Sequence, residues 1–215
     1  MNQEKRKGFD PRKKTLQCYT EQADAYLAHW DKGAYRTPPL LRELISVLPK
    51  NTTILDLGCG PAQDCRYLRR KGLRAVGLDG TWPFLARARR GSERLPLVMG
   101  DFAALPFRTD SFDAVWAAAS LIHLPKKEVR AVLGVLRNIA KDRGILAATF
   151  VHGRGSGYLR EGWIPGRYFS FWRKEELIRA LGGGWEIVSL KTVSNRERKG
   201  RWLNLIARKR QGENL

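Results

Sequence analysis

The sequence predicts an α/β domain: an open, mostly parallel sheet with helices on both faces. Three observations predict it. The first is a strand, a glycine turn and a helix in direct succession, beginning Thr53-Ile54-Leu55-Asp56-Leu57-Gly58-Cys59-Gly60-Pro61-Ala62-Gln63-Asp64. The second is that short apolar runs and amphipathic stretches alternate from there for roughly a hundred residues, the pattern of a sheet wound with helices. The third is that Asp56, Asp79 and Asp101 stand at the ends of three successive strands.

Each element follows from its residues. Leu16, Tyr19, Ala23, Tyr26, Leu27 and Trp30 recur at three- and four-residue spacing, which predicts one amphipathic helix from Thr15 to Trp30. Gly33 and Pro38-Pro39 punctuate the chain, and a second helix runs from Pro39 to Leu48 until Pro49 stops it. Thr53, Ile54, Leu55 and Leu57 make a strand covered on both faces. Gly58 and Gly60 permit positive φ and close approach of a ligand to the backbone. A helix through Arg66–Arg69 follows, then the strand Ala75–Asp79 and a helix from Trp82 to Arg90. The third strand, Pro96–Met99, leads into Gly100-Asp101-Phe102, and the fourth, Phe112–Ala118, into Ala119–Pro125. Val129, Val132, Leu133, Leu136 and Ile139 form the buried stripe of a helix over Lys126–Ala140, and Gly144 turns into the fifth strand, Ile145–Val151. Residues 152–172, rich in glycine, arginine and rings, read as a loop past the carboxyl edge of the sheet. The helix Lys174–Leu181 and the strands Trp185–Leu190 and Arg201–Ala207 complete the chain, with a hairpin around the polar segment Asn195–Gly200.

Composition limits the function. At 215 residues and 43% hydrophobic content, the chain is one domain with a sizeable core. It has no apolar run of about 18 residues, which argues against a membrane span. The charged start, MNQEKRKGFDPRKK, does not read as a secretory signal. Cys18, Cys59 and Cys65 form neither a disulfide framework nor a paired C-x-x-C metal-ligand set, and read as reduced thiols in a cytoplasmic protein. The formal net charge of +19 reads either as attraction to a polyanion such as RNA or as a solvated basic surface. Lys5, Arg6, Lys7, Arg12, Lys13 and Lys14 form the densest group, and residues 1–14 read as a basic mobile arm.

Strand, glycine turn and helix build a nucleotide site at the carboxyl edge of an α/β sheet. A dinucleotide fingerprint would want a third glycine where Gln63 stands. Asp56, read as standing at the mouth of the turn, would repel a pyrophosphate and attract a cation. The stretch Asp56-Leu57-Gly58-Cys59-Gly60 resembles the first motif of class I S-adenosylmethionine-dependent methyltransferases, of the type 11 and 25 domain kind, with Ala62 in place of the third motif glycine. Gly100-Asp101-Phe102 resembles the G-D-[AF] motif of that family, and Phe112–Pro125 its fourth motif. The resemblance covers about Thr15 to Arg208.

The resemblance implies a Rossmann-like sheet of seven strands in the order 3-2-1-4-5-7-6, strand 7 antiparallel, and S-adenosylmethionine as cofactor. Its site residues carry over as Tyr19, Tyr26, Asp56, Gly58, Cys59, Gly60, Asp79, Gly80, Asp101, Phe102, Ala118 and Ala119. Among them Asp79 would accept the ribose hydroxyls, while Asp101 and Phe102 would meet the adenine. Ser120, His123, Arg154, Arg167 and Tyr168 would face the acceptor. His123 and Tyr19 are the catalytic candidates; His123 reads equally as a helix-start histidine bonded to backbone, and the tyrosines as lid or as core. The domain over residues 15–210 would divide into a helical lid (15–50), a donor-binding core (51–151), an acceptor loop (152–172) and a C-terminal helix and hairpin (173–210). The function implied is methyl transfer to a small-molecule acceptor, by a monomer. The basic charge keeps an RNA acceptor open, as does a distant likeness of Arg167-Tyr168-Phe169 and Arg201-Trp202-Leu203-Asn204 to the ends of wobble-uridine tRNA methyltransferases. A nicotinamide oxidoreductase and a nucleic-acid-binding protein with a vestigial donor site are the lesser alternatives.

Overall fold

In the computed structural model, which describes residues 10–33, 35–90, 93–162, 164–195 and 200–211, strand β1 (Thr53–Leu57) fixes the layers. Alternate side chains of a strand face opposite sides, so β1 serves two cores at once. Ile54 joins Leu40, Leu41, Leu44 and Leu68 beneath α3 (Pro39–Ser46) and α4 (Gln63–Arg70). Leu55 and Leu57 join Val129, Val132 and Leu133 of α6 (Lys126–Ile139) on the other face.

The sheet grows outward from β1. It pairs in parallel with β2 (Arg74–Asp79) on one side and β4 (Phe112–Ala118) on the other. Beyond them lie β3 (Leu97–Met99) and β5 (Ala140–His152), also parallel. Helix α5 (Trp82–Arg89) connects β2 to β3. After β5 come β6 (Ser156–Tyr158), β7 (Tyr168–Trp172), the helix α7 (Lys174–Leu181), β8 (Trp185–Asn195) and β9 (Gly200–Lys209). Strand β9 runs antiparallel to β5 and to β8, which completes the order β3-β2-β1-β4-β5-β9-β8. Without the short β6 and β7 this is the expected seven-strand Rossmann-like order, with β9 in the antiparallel seventh place. No helix among the described residues is long and apolar enough to cross a membrane.

Four expectations need correction. The expected helix over Thr15–Trp30 is two helices, α1 (Pro11–Glu21) and α2 (Ala23–Asp31), broken at Gln22, whose φ is −111°. The first starts four residues early, because Asp10 accepts the Arg12 amide at 2.9 Å and Pro11 needs no donor of its own at the first helical position. Arg12, Lys13 and Lys14 are therefore helical and not part of an arm, while Lys5, Arg6 and Lys7 lie outside the described residues. Helix α3 ends at Ser46 rather than Leu48, since its last turn tightens: the Val47 and Leu48 amides bond carbonyls three residues back at 3.2 Å. The expected loop over 152–172 contains the hairpin β6–β7, and β7 pairs in parallel with the end of β5 through Val151–Phe171 and His152–Trp172. Its sequence, Tyr-Phe-Ser-Phe-Trp, suits a half-buried pleated surface, and Ser170 satisfies its hydroxyl on the Ile122 carbonyl at 3.2 Å.

One polar cluster ties this core to the edge of the sheet. Asp64, in the first turn of α4, accepts the Trp116 indole N–H at 2.7 Å and the Tyr35 hydroxyl at 2.5 Å. Trp116 lies fully buried in β4. Trp116→Phe keeps most of the apolar bulk and removes one bond to a charged acceptor. The expected loss is about 1.5–3 kcal/mol of stability, read as a lower urea midpoint with an unchanged slope; a midpoint equal to wild type would mean that Asp64 is satisfied by Tyr35 alone.

Candidate active site

The turn after β1 is held open to a ligand by its backbone. Gly58, Gly60 and Ala62 all take left-handed conformations, with φ of 77°, 52° and 62°. The amides of Gly58 and Cys59 both donate to the Leu78 carbonyl, at 2.7 and 3.0 Å, so the turn is anchored on β2. A Cβ at Gly58 would stand 2.5 Å from Ser120 Cβ and 3.2 Å from the Phe102 ring, which only glycine avoids. Ala62 takes the third glycine's place at a conformational cost of roughly 1–2 kcal/mol for a left-handed residue with a Cβ. Cys59 is buried, its thiol toward the Gly60 carbonyl at 3.7 Å.

Asp79 closes the end of β2 onto this turn. One carboxylate oxygen accepts the Gly60 amide at 2.8 Å, and the other accepts the Thr81 amide at 2.8 Å. Burial pushes its pKa up, while these backbone donors pull it down, and the net direction is upward. The Thr81 side chain and the Gly80 amide also lower it as donors, so a carboxylate with about four lone-pair sites is well supplied by its own turns. Asp56 behaves differently from expectation. It does not stand at the mouth of the turn. In β1 it shares a face with Ile54, where it is buried and accepts the Cys65 thiol at 3.3 Å beneath α4. Burial, and then the Asp64 charge, raise its pKa well above the carboxylate range. Asp101 is half-exposed, and it accepts the Ala103 amide at 2.9 Å and Arg12 Nη1 at 3.4 Å.

Helices α1 and α2 roof this edge. Leu16 packs so closely on Gly80 that a Cβ there would meet it at 2.7 Å. The Tyr26 hydroxyl lies 3.8 Å from where a Gly60 Cβ would be, and its ring sits 4.4 Å from Phe84. Tyr19 contacts both rings edge-on, at 5.5 and 5.7 Å. Arg12 fastens α1 to Asp101 and, at 3.0 Å, to Glu128.

Under the roof lies a chain of hydrogen bonds centred on His123. The Tyr168 carbonyl can only accept, so His123 Nδ1, 2.8 Å away, carries the proton. In the neutral ring Nε2 is then an acceptor, and the Tyr19 hydroxyl donates to it at 2.9 Å. Arg167, itself buried and bonded through Nε to the Ile164 carbonyl, donates to the Tyr19 oxygen at 3.0 Å. Burial pushes His123 down to about 4; the Arg167 charge adds to this, and the Tyr168 carbonyl opposes it.

The structure thus gathers Tyr19, Tyr26, Gly58, Gly60, Asp79, Gly80, Phe102, Ser120, His123 and Arg167 at one edge. Ala118 ends β4, and Ala119, at φ 53°, donates its amide to Thr149 Oγ1 at 2.8 Å. Tyr168 contributes its carbonyl to His123, and its ring packs on Tyr158 at 5.5 Å. Arg154 stands apart, exposed, in a separate cleft. Arg12, Phe84 and Thr149 were missed. Arg12 carried no signal among so many cations, and Phe84 had the spacing of an ordinary core residue.

Residues 54–144 match the family model described as a methyltransferase domain. A malonyl-[acyl-carrier protein] O-methyltransferase of Salmonella typhimurium is 28% identical over 135 residues, which cover 61% of this chain and 53% of that one. An uncharacterized methyltransferase of Synechocystis is 30% identical over 133 residues, covering 62% and 61%. The chain therefore spans about half to three fifths of the length of these relatives. The structure of 1,6-didemethyltoxoflavin-N1-methyltransferase from Burkholderia thailandensis, with bound 1,6-didemethyltoxoflavin and S-adenosylhomocysteine, superposes with a TM-score of 0.72 at 20% identity. That match covers 93% of this chain and 87% of the other. The fold and its site define a Rossmann-like domain with a donor crevice at the carboxyl edge. Over residues 54–144 the chain matches a methyltransferase domain, its fold is that of the solved S-adenosylmethionine-dependent methyltransferases, and S-adenosylmethionine is the cofactor such a domain uses. The nicotinamide alternative gives way to it.

The residues present fit that cofactor. Ser120 Oγ is buried without a hydrogen-bond partner among the described residues, and it faces the space left by the absent Gly58 side chain, 3.4 Å from where a Cβ would be. Asp79 presents its carboxylate to the same glycine turn at the Gly60 amide.

The His123 network makes stability depend on pH with a defined sign. The fold holds His123 at about 4 against 6.5 ordinarily, so the unfolded chain takes up this proton first. Its contribution is full above about pH 6.5 and is lost as pH falls toward about 4. Asp56 and Asp79, held upward by burial, act in the opposite sense. Comparing wild type with His123→Gln cancels them. The gap between the two urea midpoints is expected to narrow from pH 7 to pH 4.5; a gap independent of pH would show that His123 titrates freely in the fold.

Proposed function

We propose that this chain transfers the methyl group of S-adenosylmethionine to a small-molecule acceptor, acting as a monomer in the cytoplasm. The observation that carries the reading is the roof: Leu16, Tyr26 and Tyr19 close directly on Gly80, Gly60 and His123. An acceptor that reacts beneath two seated helices is small. The structural neighbour named for 1,6-didemethyltoxoflavin is in keeping with this.

S-adenosylmethionine, when bound, supplies a methyl group on a positively charged sulfur. The chain's own residues bind and orient. Asp79 would accept the ribose hydroxyls, and Phe102 would pack beside the adenine. Gly58 and Gly60 bring the backbone close, with Ala118, Ala119 and Ser120 leaving room for ligand. Asp56 acts from below, by holding the first turn of α4 through Cys65.

A base with a pKa near 4 takes up little proton at neutral pH. His123 is therefore a positioning residue: its Nε2 orients the Tyr19 hydroxyl, whose oxygen Arg167 also fixes. Tyr19 in turn would orient the acceptor toward the methyl group. This suits an amine, thiol or carboxylate acceptor, which needs no strong base. The formal charge of +19 favours a second reading, an RNA acceptor.

Transfer from labelled donor into fractionated cell extract separates these readings. Label in a small-molecule fraction is the expected result; label confined to RNA would replace the first reading by the second. Asp79→Ala is expected to weaken S-adenosylhomocysteine about tenfold or more, through the loss of charge-assisted bonds. An unchanged dissociation constant by calorimetry would leave Asp79 as a turn residue only. Tyr19→Phe preserves the ring contacts and removes the hydroxyl. It should lower kcat about tenfold or more while S-adenosylhomocysteine affinity holds, and a variant with wild-type kcat would place the hydroxyl outside the reaction.

A further inference from the structure

A basic cleft of about 420 Å³ opens where β5 ends, lined by His152, Arg154, Arg173, Lys174 and Arg201, with Glu175 as the acid in its wall. Its place in the fold connects it to the transfer site. Thr149, which holds the Ala119 amide, precedes His152 by three residues of the same strand, about 10 Å at the rise of an extended chain. A line of rings joins the two places. His123 packs edge-on against Phe169 at 4.6 Å, and Phe169 stacks on Phe171 at 6.4 Å. Phe171 in turn borders the cleft, its Cβ 3.2 Å from where a Cβ at Gly153 would be.

The charges of the cleft are not spent internally. Arg173 pairs with Glu176 at 3.6 Å. Arg154, Lys174 and Arg201 have no carboxylate partner among the described residues. They come from three separate elements: the turn after β5, the start of α7 and the start of β9. Like charges brought together from three elements repel one another until an anion joins them. Arginine's planar fork suits phosphate and carboxylate alike.

We propose that the acceptor carries an anionic group, phosphate or carboxylate, which Arg154, Lys174 and Arg201 seat at the end of β5, while its reacting end reaches toward Tyr19 and His123. The proposal rests on the methyltransferase reading and adds the chemistry of its substrate. It also accounts for Arg154 standing away from the Tyr19–His123 network, because an elongated acceptor reaches both. Arg167 does not serve as this anchor, since its guanidinium is buried against the Tyr19 and Phe169 rings.

A second basic cleft, with Arg137, Arg143, Arg208 and Arg210, lies at the opposite edge of the sheet and supplies the control. Inorganic pyrophosphate titrated into the labelled protein, followed by amide resonances, is expected to shift Gly153, Arg154, Lys174 and Arg201 along one saturable curve. The double variant Arg154→Gln/Arg201→Gln should weaken that curve about tenfold or more, with S-adenosylhomocysteine affinity unchanged by calorimetry. Equal curves in both proteins, or saturation only around Arg208 and Arg210, would overturn the proposal. Failure to bind S-adenosylhomocysteine while the pyrophosphate curve stands would sink the methyltransferase reading and leave the cleft as an anion site. In transfer from labelled donor to extract, label retained on an anion exchanger supports the proposal, and ribonuclease treatment distinguishes a free anionic acceptor from RNA phosphate. Label recovered in an uncharged fraction overturns it.

Discussion

The Asp79 carboxylate holds the site together. It ends β2, yet its two oxygens bind one amide in the turn after β1 and one in the turn after β2. Two loops that only neighbour each other at the sheet edge are thereby locked into one surface. The lock depends on burial. Water does not compete for these amides, and the donors around the charge offset part of the cost of desolvating it. The glycine turn, the Leu16 seat on Gly80 and the space before Ser120 all take their positions from this one group.

Much of this was legible. Acids at strand ends, glycines with no tolerance for a side chain and a stripe on each helix are local signals, and β1, β2 and β4 emerged within a residue or two of their expected bounds. The illegible parts share one physical cause: they depend on which way a side chain turns or on what a distant segment offers. Asp56 occupies the motif position of a ligand-facing acid, but strand alternation directs it beneath α4, to Cys65. The helix break at Gln22 coincides with a bond from its side chain to the Pro165 carbonyl, 143 residues away in sequence. Strand β7 exists because β5 extends beyond its neighbours and leaves an edge to pair with, which a reading of 152–172 alone does not reveal.

The carboxylates of the sheet are distributed by role. Asp64 spends its charge on Tyr35 and Trp116, within the scaffold. Asp113 accepts the Thr53 amide and Lys141, each at 2.8 Å, and so pins the start of β1 to β4 and β5. Asp79 alone of these lies where the roof meets the turns. The acids that shape the scaffold are partly exposed, whereas the acid at the crevice is buried and held by backbone amides.

The roof has a consequence for the domain's response to salt. Leu16 rests on Gly80 and Tyr19 on His123, and the contacts that hold α1 there are of two kinds. The ring contacts of Tyr19, Tyr26 and Phe84 are indifferent to salt, whereas the Arg12 bridges to Asp101 and Glu128 are partly exposed and screened by it. Ionic strength thus loosens the outer fastening of α1 and leaves its aromatic seat untouched.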